Sequence, residues 1–304
     1  MADFDVHILG CGSALPTTRH LASSQVVDLR DKLYMIDCGE GAQLQMRIRH
    51  IKWSRLIHIF ISHLHGDHCF GLPGLISTLG MLGRTGDLVI HGPVGLEAYL
   101  KPILKIFCER MGYEVLIHEI DSAQHALVME DRSVAVYSIP LNHRIPCCGY
   151  LFAEKPKSPH LIRDMIDFYQ IPIHLLPSIK AGEDFVTADG NIIPNHRLTR
   201  PADPPKRYAY CSDTAYNPSI IPIIEGVDLL YHEATFAEQD ANRAEETFHS
   251  TARQAAEIAR MARVKRLVIG HYSARYEKVD LLKKEADTIF PHTILATEGM
   301  RLSL

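Results

Sequence analysis

Residues 59–68 of this 304-residue chain have the sequence IFISHLHGDH. The apolar run at residues 57–61 predicts a short buried strand. Four potential metal ligands follow this strand within six residues, namely His63, His65, Asp67 and His68. One histidine in this position would be interpreted as an ordinary polar or packed side chain. Four ligand-type side chains directly after a strand predict a metal site.

The spacing of these four side chains predicts which of them share a metal. Because side chains alternate along an extended chain, His63 and His65 are expected on the same side. Gly66 is expected to let the backbone turn, so that Asp67 and His68 reach a second position nearby. Imidazole and carboxylate groups are the ligands of catalytic zinc, which keeps one coordination position for water. The stretch therefore predicts a catalytic metal centre.

The composition is that of an ordinary globular protein, with 46% hydrophobic and 22% charged residues. A chain of this length can form one large domain, or one domain with an insertion. It contains no apolar run of about 18 residues, the length that a helical membrane span needs. The net charge of −4 does not suggest general nucleic-acid binding, so any such function must depend on a local basic patch.

The cellular compartment can be predicted from two further features. The first ten residues, MADFDVHILG, enter a strand-like pattern at once and do not resemble a signal sequence. The seven cysteines are odd in number and include no CxxC pair, which argues against a framework of disulfides. Both features predict a reducing, cytoplasmic location.

Ligand-type residues recur after further predicted strands. The predicted strands at residues 134–139, 208–211 and 266–269 are followed by His143, Asp213 and His271, respectively. Each of these residues alone would be interpreted as an ordinary polar turn residue. Their repetition is typical of a site assembled from strand ends, where loops carry function. The alternation of strands with helices predicts an α/β fold with layered, mixed sheets.

These motifs together resemble the ribonuclease Z family, the tRNA 3′-processing endonucleases of the metallo-β-lactamase superfamily. The HxHxDH motif at residues 63–68 would by itself indicate only the superfamily. HEAT at residues 232–235, followed by HST at 249–251, is much more specific to this branch. The resemblance extends over nearly the whole chain, from GSALP at residues 12–16 to HYSARY at 271–276. The chain is similar in length to the short form of the enzyme, which works as a homodimer.

The resemblance implies a single four-layer αβ/βα sandwich over residues 1–304, with two zinc ions at the sheet edges. It assigns the ligands as follows: His63, His65 and His143 hold the first zinc, Asp67, His68 and His271 hold the second, and Asp213 bridges both. Two zinc ions about 3.5–4 Å apart can clamp the attacking and leaving oxygens of a phosphoryl displacement. Asp67, beside the attacking water, would orient it and accept its proton.

His249 is the candidate that protonates or stabilises the leaving 3′-oxygen. Thr251 and Gln254 fit a capping box, so His249 is expected just ahead of a helix N-terminus, which favours phosphate. The helix dipole lowers the pKa of such a histidine, whereas a carboxylate partner raises it. The resemblance makes Glu233 that partner and orienter. An alternative for Glu233 is a capping carboxylate beside a helix at residues 237–246.

A proline-rich segment at residues 153–207 interrupts the α/β pattern and is too long for a plain loop. A helix is expected at residues 161–169 and a hairpin turn at 187–190. In ribonuclease Z the matching position carries an exosite arm that grips the tRNA elbow for the partner subunit. The basic residues that could contact phosphates here are Lys155, Lys157, Arg163, Lys180, Arg197 and Arg200. Acidic residues are nearly as numerous, so a solvated surface excursion stays open as an alternative.

Two further features concern the predicted contacts with the substrate: the tip of the arm differs from the family pattern, and one arginine near the C-terminus is a candidate for binding phosphate. The family arm usually has a Gly-Pro pair near its tip, whereas this chain has IPIHLLPS at residues 171–178. Arg275 is a candidate for gripping a substrate phosphate, with a solvated surface arginine as the alternative.

Three functions compete at this point. The first is a zinc-dependent endoribonuclease that removes the 3′ trailer of precursor tRNA, leaving a 3′-hydroxyl on the tRNA and a 5′-phosphate on the trailer. The second is a metal-dependent phosphodiesterase of small substrates such as cyclic nucleotides, which would not need a long arm. The third is a non-enzymatic RNA-binding protein with a structural metal, which would not need an intact His249 and Glu233. We expect the first.

Overall fold

The computed structural model describes residues 4–15, 17–108 and 111–304. The strands of these residues are β1 Phe4–Gly10, β2 Ser24–Leu29, β3 Lys32–Cys38, β4 Leu56–Phe60, β5 Leu88–Pro93, β6 Val115–Ile120, β7 Leu127–Glu130, β8 Val134–Pro140, β9 Cys148–Glu154, β10 His160–Leu161, β11 Phe185–Val186, β12 Ile192–Ile193, β13 Thr199–Arg200, β14 Arg207–Cys211, β15 Leu229–Glu233, β16 Leu267–Gly270, β17 Ile294–Leu295 and β18 Arg301–Ser303. The α-helices are α1 Ala42–Ile48, α2 Gly66–Cys69, α3 Leu72–Met81, α4 Leu96–Phe107, α5 Arg163–Phe168, α6 Leu176–Lys180, α7 Ile221–Ile224, α8 Ala241–Thr247, α9 Ala252–Met261 and α10 Asp280–Asp287.

Two mixed sheets form the centre of the fold. In the described residues each has seven strands, in the orders β18-β1-β2-β3-β4-β5-β6 and β17-β16-β15-β14-β9-β8-β7. Strands β2 and β3 form an antiparallel hairpin that turns at Arg30 and Asp31, both of which adopt a positive φ. From β3 to β6 the strands run parallel, because α1, α3 and α4 lie between them in sequence and return the chain to the same edge.

The two sheets pack face to face and bury a shared core. Along β3, Tyr34 and Ile36 belong to this core, whereas Leu33 and Met35 point to the other face of the sheet, as alternation in a strand requires. Aromatic rings join the two sheets, since the centroid of the Phe60 ring lies 5.2 Å from that of Tyr150. This inner layer holds the ends of the strands in fixed positions.

Helices cover the outer faces of both sheets. Helix α3 buries Leu72, Leu75, Ile76 and Leu79 against the first sheet. On the second sheet, α9 begins with the predicted capping box, in which the Thr251 hydroxyl accepts from the N–H of Gln254 and the Gln254 side chain accepts from the N–H of Thr251. The small side chains of α9 let it pack closely on the sheet. The predicted four-layer α/β sandwich is therefore confirmed.

The sequence places Leu44, Ile48 and Ile51 on one face of a helix, but α1 ends at Ile48 and does not include Ile51. Leu44 and Ile48 are 57% and 50% exposed, and the helix instead buries Ala42 and Met46. Sequence periodicity reports only that apolar residues share a stripe, and it does not distinguish the core from an exposed surface.

None of the helices in the described ranges has the length and apolar character that a membrane crossing requires.

Contacts divide the chain into two compact units, and residues Glu154–Pro205 form the smaller one. Short elements surround its own small core, whose members are Ile166, Ile171, Ile179, Phe185, Ile193 and Leu198. The expected helix at 161–169 is shorter, because residues 160–161 pair with β13 before α5 begins. The predicted turn at 187–190 joins β11 to β12, with Gly190 at a φ of 81°.

Candidate metal centre

The ends of four strands in the larger unit meet at one place. The loops after β4, β8, β14 and β16 carry His63, His143, Asp213 and His271, respectively. The short helix α2 follows the first of these loops and carries Asp67 and His68. His65 lies at the residue before α2 and has extended backbone angles. The structure thus brings together all seven side chains that the sequence predicts as metal ligands.

His63, His65 and His143 form the first group of potential ligands. Nδ1 of His65 lies 3.0 Å from Nε2 of His63 and 3.3 Å from Nε2 of His143. Oδ2 of Asp213 faces the same group, at 3.5 Å from Nε2 of His63 and 3.8 Å from Nε2 of His143. Four donor atoms at such separations can surround one divalent cation.

Asp67, His68 and His271 form the second group. Oδ2 of Asp67 lies 3.3 Å from Nε2 of His68 and 3.4 Å from Nε2 of His271. The other oxygen of Asp213, Oδ1, faces this group at 3.5 Å from His68 and 3.2 Å from His271. One carboxylate thus presents one oxygen to each group, which is the geometry of a bridging ligand.

Hydrogen bonds at the outer ring nitrogens orient three of the histidines. The Nδ1 atoms of His68, His143 and His271 lie 2.7 Å from Asp37 Oδ2, 2.9 Å from the Phe248 carbonyl oxygen and 2.9 Å from Thr235 Oγ1, respectively. An Nδ1–H that donates outward leaves the Nε2 lone pair pointing into the centre, as metal ligation requires. The donor set and its tautomers therefore fit a pair of divalent metal ions.

Asp213 and the histidines around it form a strongly coupled electrostatic group. Burial alone would raise the pKa of Asp213, but the neighbouring histidines, His271 foremost, hold it well below its usual range. The carboxylate is therefore ionised, which a bridging ligand must be. A buried anion surrounded by imidazoles is a costly arrangement unless cations or protons compensate it.

Asp37 supports this centre from outside the group of ligands. One of its oxygens accepts from the N–H of Ser62 at 2.8 Å, and the other accepts from the hydroxyls of Ser62 and Tyr210 at 3.0 and 2.7 Å. Because the same carboxylate also holds His68, Asp37 ties the loop after β4 to the second sheet. Sequence reasoning missed Ser62 and Tyr210, although their nearness to ligands in sequence was a usable signal.

Several residues at the site adopt a left-handed backbone conformation. Asp37, Phe248 and His271 have φ values of 54°, 57° and 62°. Non-glycine residues seldom adopt this conformation, and such strain is commonly found at functional sites. Gly66, by contrast, does not have a positive φ and begins α2, where a Cβ atom would lie 2.4 Å from the Phe70 ring. The expected special turn at Gly66 is therefore absent, and the exposed Phe70 ring packs over the glycine.

His249 and Glu233 form a hydrogen-bonded pair beside the metal ligands. Nδ1–H of His249 donates to Glu233 Oε1 at 2.8 Å. Burial opposes protonation of this imidazole, but Glu233 outweighs it and raises the pKa of His249 to about 9. The Nδ1 bond leaves Nε2 free to face a reacting group. Donor atoms of His249 also lie within 4.8 Å of those of Asp213 and His271.

Glu233 is fully buried and does not cap a helix. Its Oε1 also accepts from the N–H of Thr214 at 3.0 Å, and its Oε2 accepts from the N–H and hydroxyl of Thr235 at 3.0 and 2.7 Å. The capping alternative is wrong, because the helix begins later, at Ala241, and its N-terminal residue Asp240 makes no side-chain capping bond. Together with the hydrogen bond from His249, these contacts give the carboxylate four hydrogen bonds, which fix its position.

A cavity of about 740 Å³ opens over the two ligand groups. His65, Asp67 and Asp213 lie on its wall together with His249. Its basic residues are Arg144, Arg243 and Arg275. Sequence reasoning named only Arg275, whose guanidinium pairs with Asp240 at 2.7 Å and lies over the Phe236 ring at 5.0 Å. Positive charge beside a metal centre favours a polyanionic substrate.

The other predicted substrate contacts lie in the smaller unit. Lys155 and Lys157 are half-buried, and the ammonium of Lys157 lies 3.3 Å from the Glu154 carboxylate. Lys180 is exposed at the end of α6. Arg163, Arg197 and Arg200 are also exposed.

Known proteins resemble this chain over its whole length. Family models match in two places: residues 4–93 match the anti-Pycsar protein Apyc1, and residues 197–272 match the beta-lactamase superfamily domain. Proteins named ribonuclease Z from Parabacteroides distasonis and Porphyromonas gingivalis W83 are 75% and 66% identical over 304 residues, which is 100% of this chain and of each relative. The crystal structure of human tRNase Z, short form, has a TM-score of 0.72 at 27% identity and covers 98% of both chains.

Proposed function

We infer the function of the site from the premise that the chain belongs to the ribonuclease Z family. It is a metal-dependent endoribonuclease that removes the 3′ trailer of precursor tRNA, leaving a 3′-hydroxyl on the tRNA and a 5′-phosphate on the trailer. The observation that carries this conclusion is the placement of two ligand groups sharing Asp213 beneath a cavity that also contains His249. The relatives do not favour the alternative of a small-molecule phosphodiesterase.

We propose that the centre binds two zinc ions. The first would be held by His63, His65 and His143, the second by Asp67, His68 and His271, with Asp213 shared between them. Imidazole and carboxylate donors at these separations suit zinc, although the same set also binds manganese or iron. When bound, the two ions activate water and compensate the charge that develops on the scissile phosphate.

Asp67 has the position for a proton acceptor. Oδ2 of Asp67 is directed at His68 and His271, and the residue lines the cavity in which the phosphate would lie. Burial alone would raise its pKa, but the histidines hold the pKa well below the usual range, so the group is a carboxylate at neutral pH. We propose that it orients the attacking water and takes its proton.

His249 has the position for a proton donor. Glu233 fixes its Nδ1 side and keeps the ring protonated at neutral pH, so that Nε2–H can donate to the leaving 3′-oxygen. A proton delivered there avoids the release of an alkoxide, which is a poor leaving group. Glu233 itself is a positioning residue, because it acts on the substrate only through His249.

The smaller unit and the exposed face of α1 have proposed roles in binding. We propose that residues 153–207, an insertion in an otherwise single domain, act as an exosite arm whose Lys155, Lys157 and Lys180 contact tRNA phosphates.

The exposed Leu44 and Ile48, beside a groove lined by Trp53 and Leu82, support a homodimer interface. A cytoplasmic location stays a prediction.

Cleavage of a 3′-extended precursor tRNA by the zinc-loaded protein tests this function. Bis-p-nitrophenyl phosphate serves as the small substrate and a chelator as the control. We expect a single, chelator-sensitive cut near the discriminator base, much faster than turnover of the small substrate. Turnover of the small substrate without cleavage of tRNA would instead establish a general phosphodiesterase.

A further inference from the structure

A second cluster of metal-ligand side chains lies outside the centre described above. Cys11 follows β1, His20 lies in the connection from β1 to β2, and Glu298 lies between β17 and β18. The Sγ atom of Cys11 is 3.5 Å from Nδ1 of His20 and 3.5 Å from Oε1 of Glu298. Nδ1 of His20 is 3.2 Å from Oε2 of Glu298. A thiol, an imidazole and a carboxylate thus face one another, with one carboxylate oxygen toward the thiol and the other toward the imidazole.

These separations are those of ligands around one zinc ion. Zinc lies about 2.3 Å from a thiolate sulfur and about 2.0–2.2 Å from imidazole nitrogen or carboxylate oxygen, so tetrahedral coordination places such donors roughly 3.3–3.6 Å apart. The two ligand groups of the candidate catalytic centre show donor separations from 3.0 to 3.8 Å. The separations in the new cluster fall inside that range.

We propose that Cys11, His20 and Glu298 bind a third divalent metal ion, with zinc as the preferred ion. Sγ of Cys11, Nδ1 of His20 and one carboxylate oxygen of Glu298 are the ligands, and water completes the tetrahedron. Binding releases the thiol proton of Cys11 to solvent, so that a thiolate and a carboxylate neutralise the divalent charge. None of the three residues belongs to the candidate catalytic centre, so the site is independent of it.

The alternative is a metal-free cluster in which hydrogen bonds alone join the three side chains. Nδ1–H of His20 would then donate to Glu298, and the thiol would donate to Glu298 or to the Ala296 carbonyl oxygen, which lies 3.4 Å from Sγ. Burial, reinforced by Glu298, raises the pKa of Cys11 well above its usual value, so a metal-free thiol stays protonated. The two descriptions differ in whether a sulfur–metal bond exists.

The position of the cluster indicates a structural role for the metal. Glu298 also accepts from the N–H of Leu21 at 2.8 Å, and His20 and Leu21 line the cavity above the candidate catalytic centre. A metal on this cluster would join the connection after β1 to the segment before β18 and so fix one wall of the cavity. Cys11 is fully buried, whereas the side chains of His20 and Glu298 are 18% and 16% exposed, which leaves a path of entry for the ion.

Substitution with Co²⁺ tests the site through a signal that the candidate catalytic centre does not produce. The proposed ligands of that centre are histidines and aspartates, so a thiolate-to-Co²⁺ charge-transfer band in the near ultraviolet must come from a cysteine. We expect this band in the Co²⁺-loaded protein and its loss in Cys11→Ser. In the same samples loaded with Zn²⁺, we expect three metal ions per chain in the unmodified protein and two in the variant.

Matched controls separate the site from general damage. Cys108 is a half-exposed free thiol, so Cys108→Ser should keep both the band and the third ion. Should Cys11→Ser fail to fold, as judged by circular dichroism, Glu298→Gln serves instead, because its amide oxygen can still accept from Leu21. We expect that variant to lose the third ion at Zn²⁺ concentrations that saturate the unmodified protein.

The outcomes also distinguish this proposal from the proposed function. A band that depends on Cys11 supports the third site whether or not precursor tRNA is cleaved. A Co²⁺-loaded protein without the band, or with a band that survives Cys11→Ser, would establish the hydrogen-bonded cluster and overturn the proposal. Precursor-tRNA cleavage with only two ions per chain would leave the enzyme function standing and remove the third site.

Discussion

The candidate metal centre and the inserted unit are built in opposite ways. At the centre, His63, His68, His271 and Asp213 are buried, and His68, His143 and His271 each have a second hydrogen bond that fixes the ring. The inserted unit, residues Glu154–Pro205, has two-residue strands, short helices and a core of its own. Lys180 and the arginines of the unit are exposed, whereas Lys155 and Lys157 are half-buried. The proposed ligands are thus held by several contacts, whereas most cations of the insertion face solvent.

This difference suggests that different regions determine the rate of the reaction and the choice of substrate. Catalysis depends on donor groups that are held in position before the substrate arrives. Burial and a second hydrogen bond on the ring hold such groups in place. Binding of a polyanion depends on the number of available cations more than on their exact placement. We therefore propose that the centre carries the chemistry and that the insertion recognises tRNA. The predictions below test this division, starting with the largest effect.

Replacement of Asp67 by alanine should have the largest effect. It removes both a metal ligand and the proposed proton acceptor, so kcat should fall by about 10⁴-fold or more on precursor tRNA and on bis-p-nitrophenyl phosphate alike. Filter binding should show tRNA affinity close to that of the unmodified protein. Loss of tRNA binding in parallel with activity would contradict the assignment of Asp67 to chemistry alone.

Replacement of His249 by alanine should separate the two substrates. As the proton donor to a 3′-oxygen, His249 should contribute about 10²–10⁴-fold to kcat on precursor tRNA. p-Nitrophenolate leaves without a proton, so turnover of bis-p-nitrophenyl phosphate should change much less. Metal content, measured by atomic emission, should stay unchanged; a loss of metal would make His249 a ligand instead of an acid.

Combined replacement of Lys155, Lys157 and Lys180 by alanine should have a smaller effect, confined to the RNA. We expect KM for precursor tRNA to rise on the order of 10-fold, and the slope of log affinity against log salt to fall by about one per lysine that contacts a phosphate. The control is a variant with Lys101 and Lys105 of α4 replaced, which should keep the salt slope. Equal slopes in all three proteins would favour the solvated-excursion alternative.

Replacement of Glu233 by glutamine should have the smallest effect on the maximal kcat and should mainly change its pH dependence. Glu233 raises the pKa of His249 to about 9, so the protonated acid persists below that pH and is lost above it. Without the carboxylate the pKa falls, and the decline of kcat on precursor tRNA should begin at lower pH. A pH–rate profile checks this; an unchanged alkaline limb would mean that another group controls it.

The sequence predicts the centre better than it predicts the surfaces. HxHxDH and the later residues at strand ends predict the side chains that lie together at the centre, because strand ends can be located from apolar runs and the sheet brings them together. The sequence does not reveal that His65 contributes Nδ1 whereas His63 and His143 contribute Nε2, since that choice depends on ring orientation in the folded state. Nearness to Asp213 in sequence marks Tyr210, but the sequence does not show that its hydroxyl bonds Asp37, because that contact joins the two sheets.

The roles of the exposed face of α1 and of residues 153–207 are harder to predict, because exposed residues follow no regular sequence pattern. The stripe of Leu44 and Ile48 on α1 looks like a core face in sequence but is exposed in this chain. The charges of residues 153–207 mix both signs, so composition alone does not separate a binding arm from a solvated excursion. Only contacts with a partner or with RNA can distinguish such residues, and a single chain does not contain them.

Deletion of residues 155–200, replaced by a short glycine-serine linker, tests the division between centre and insertion most directly. The measured quantity is kcat/KM for precursor tRNA and for bis-p-nitrophenyl phosphate in the same preparation, after metal content has been matched. We predict a loss on the order of 10²-fold for tRNA, equivalent to about 2.7 kcal/mol of binding, with the small substrate nearly unaffected. An equal loss on both substrates would show that the insertion supports the centre itself and would contradict the division.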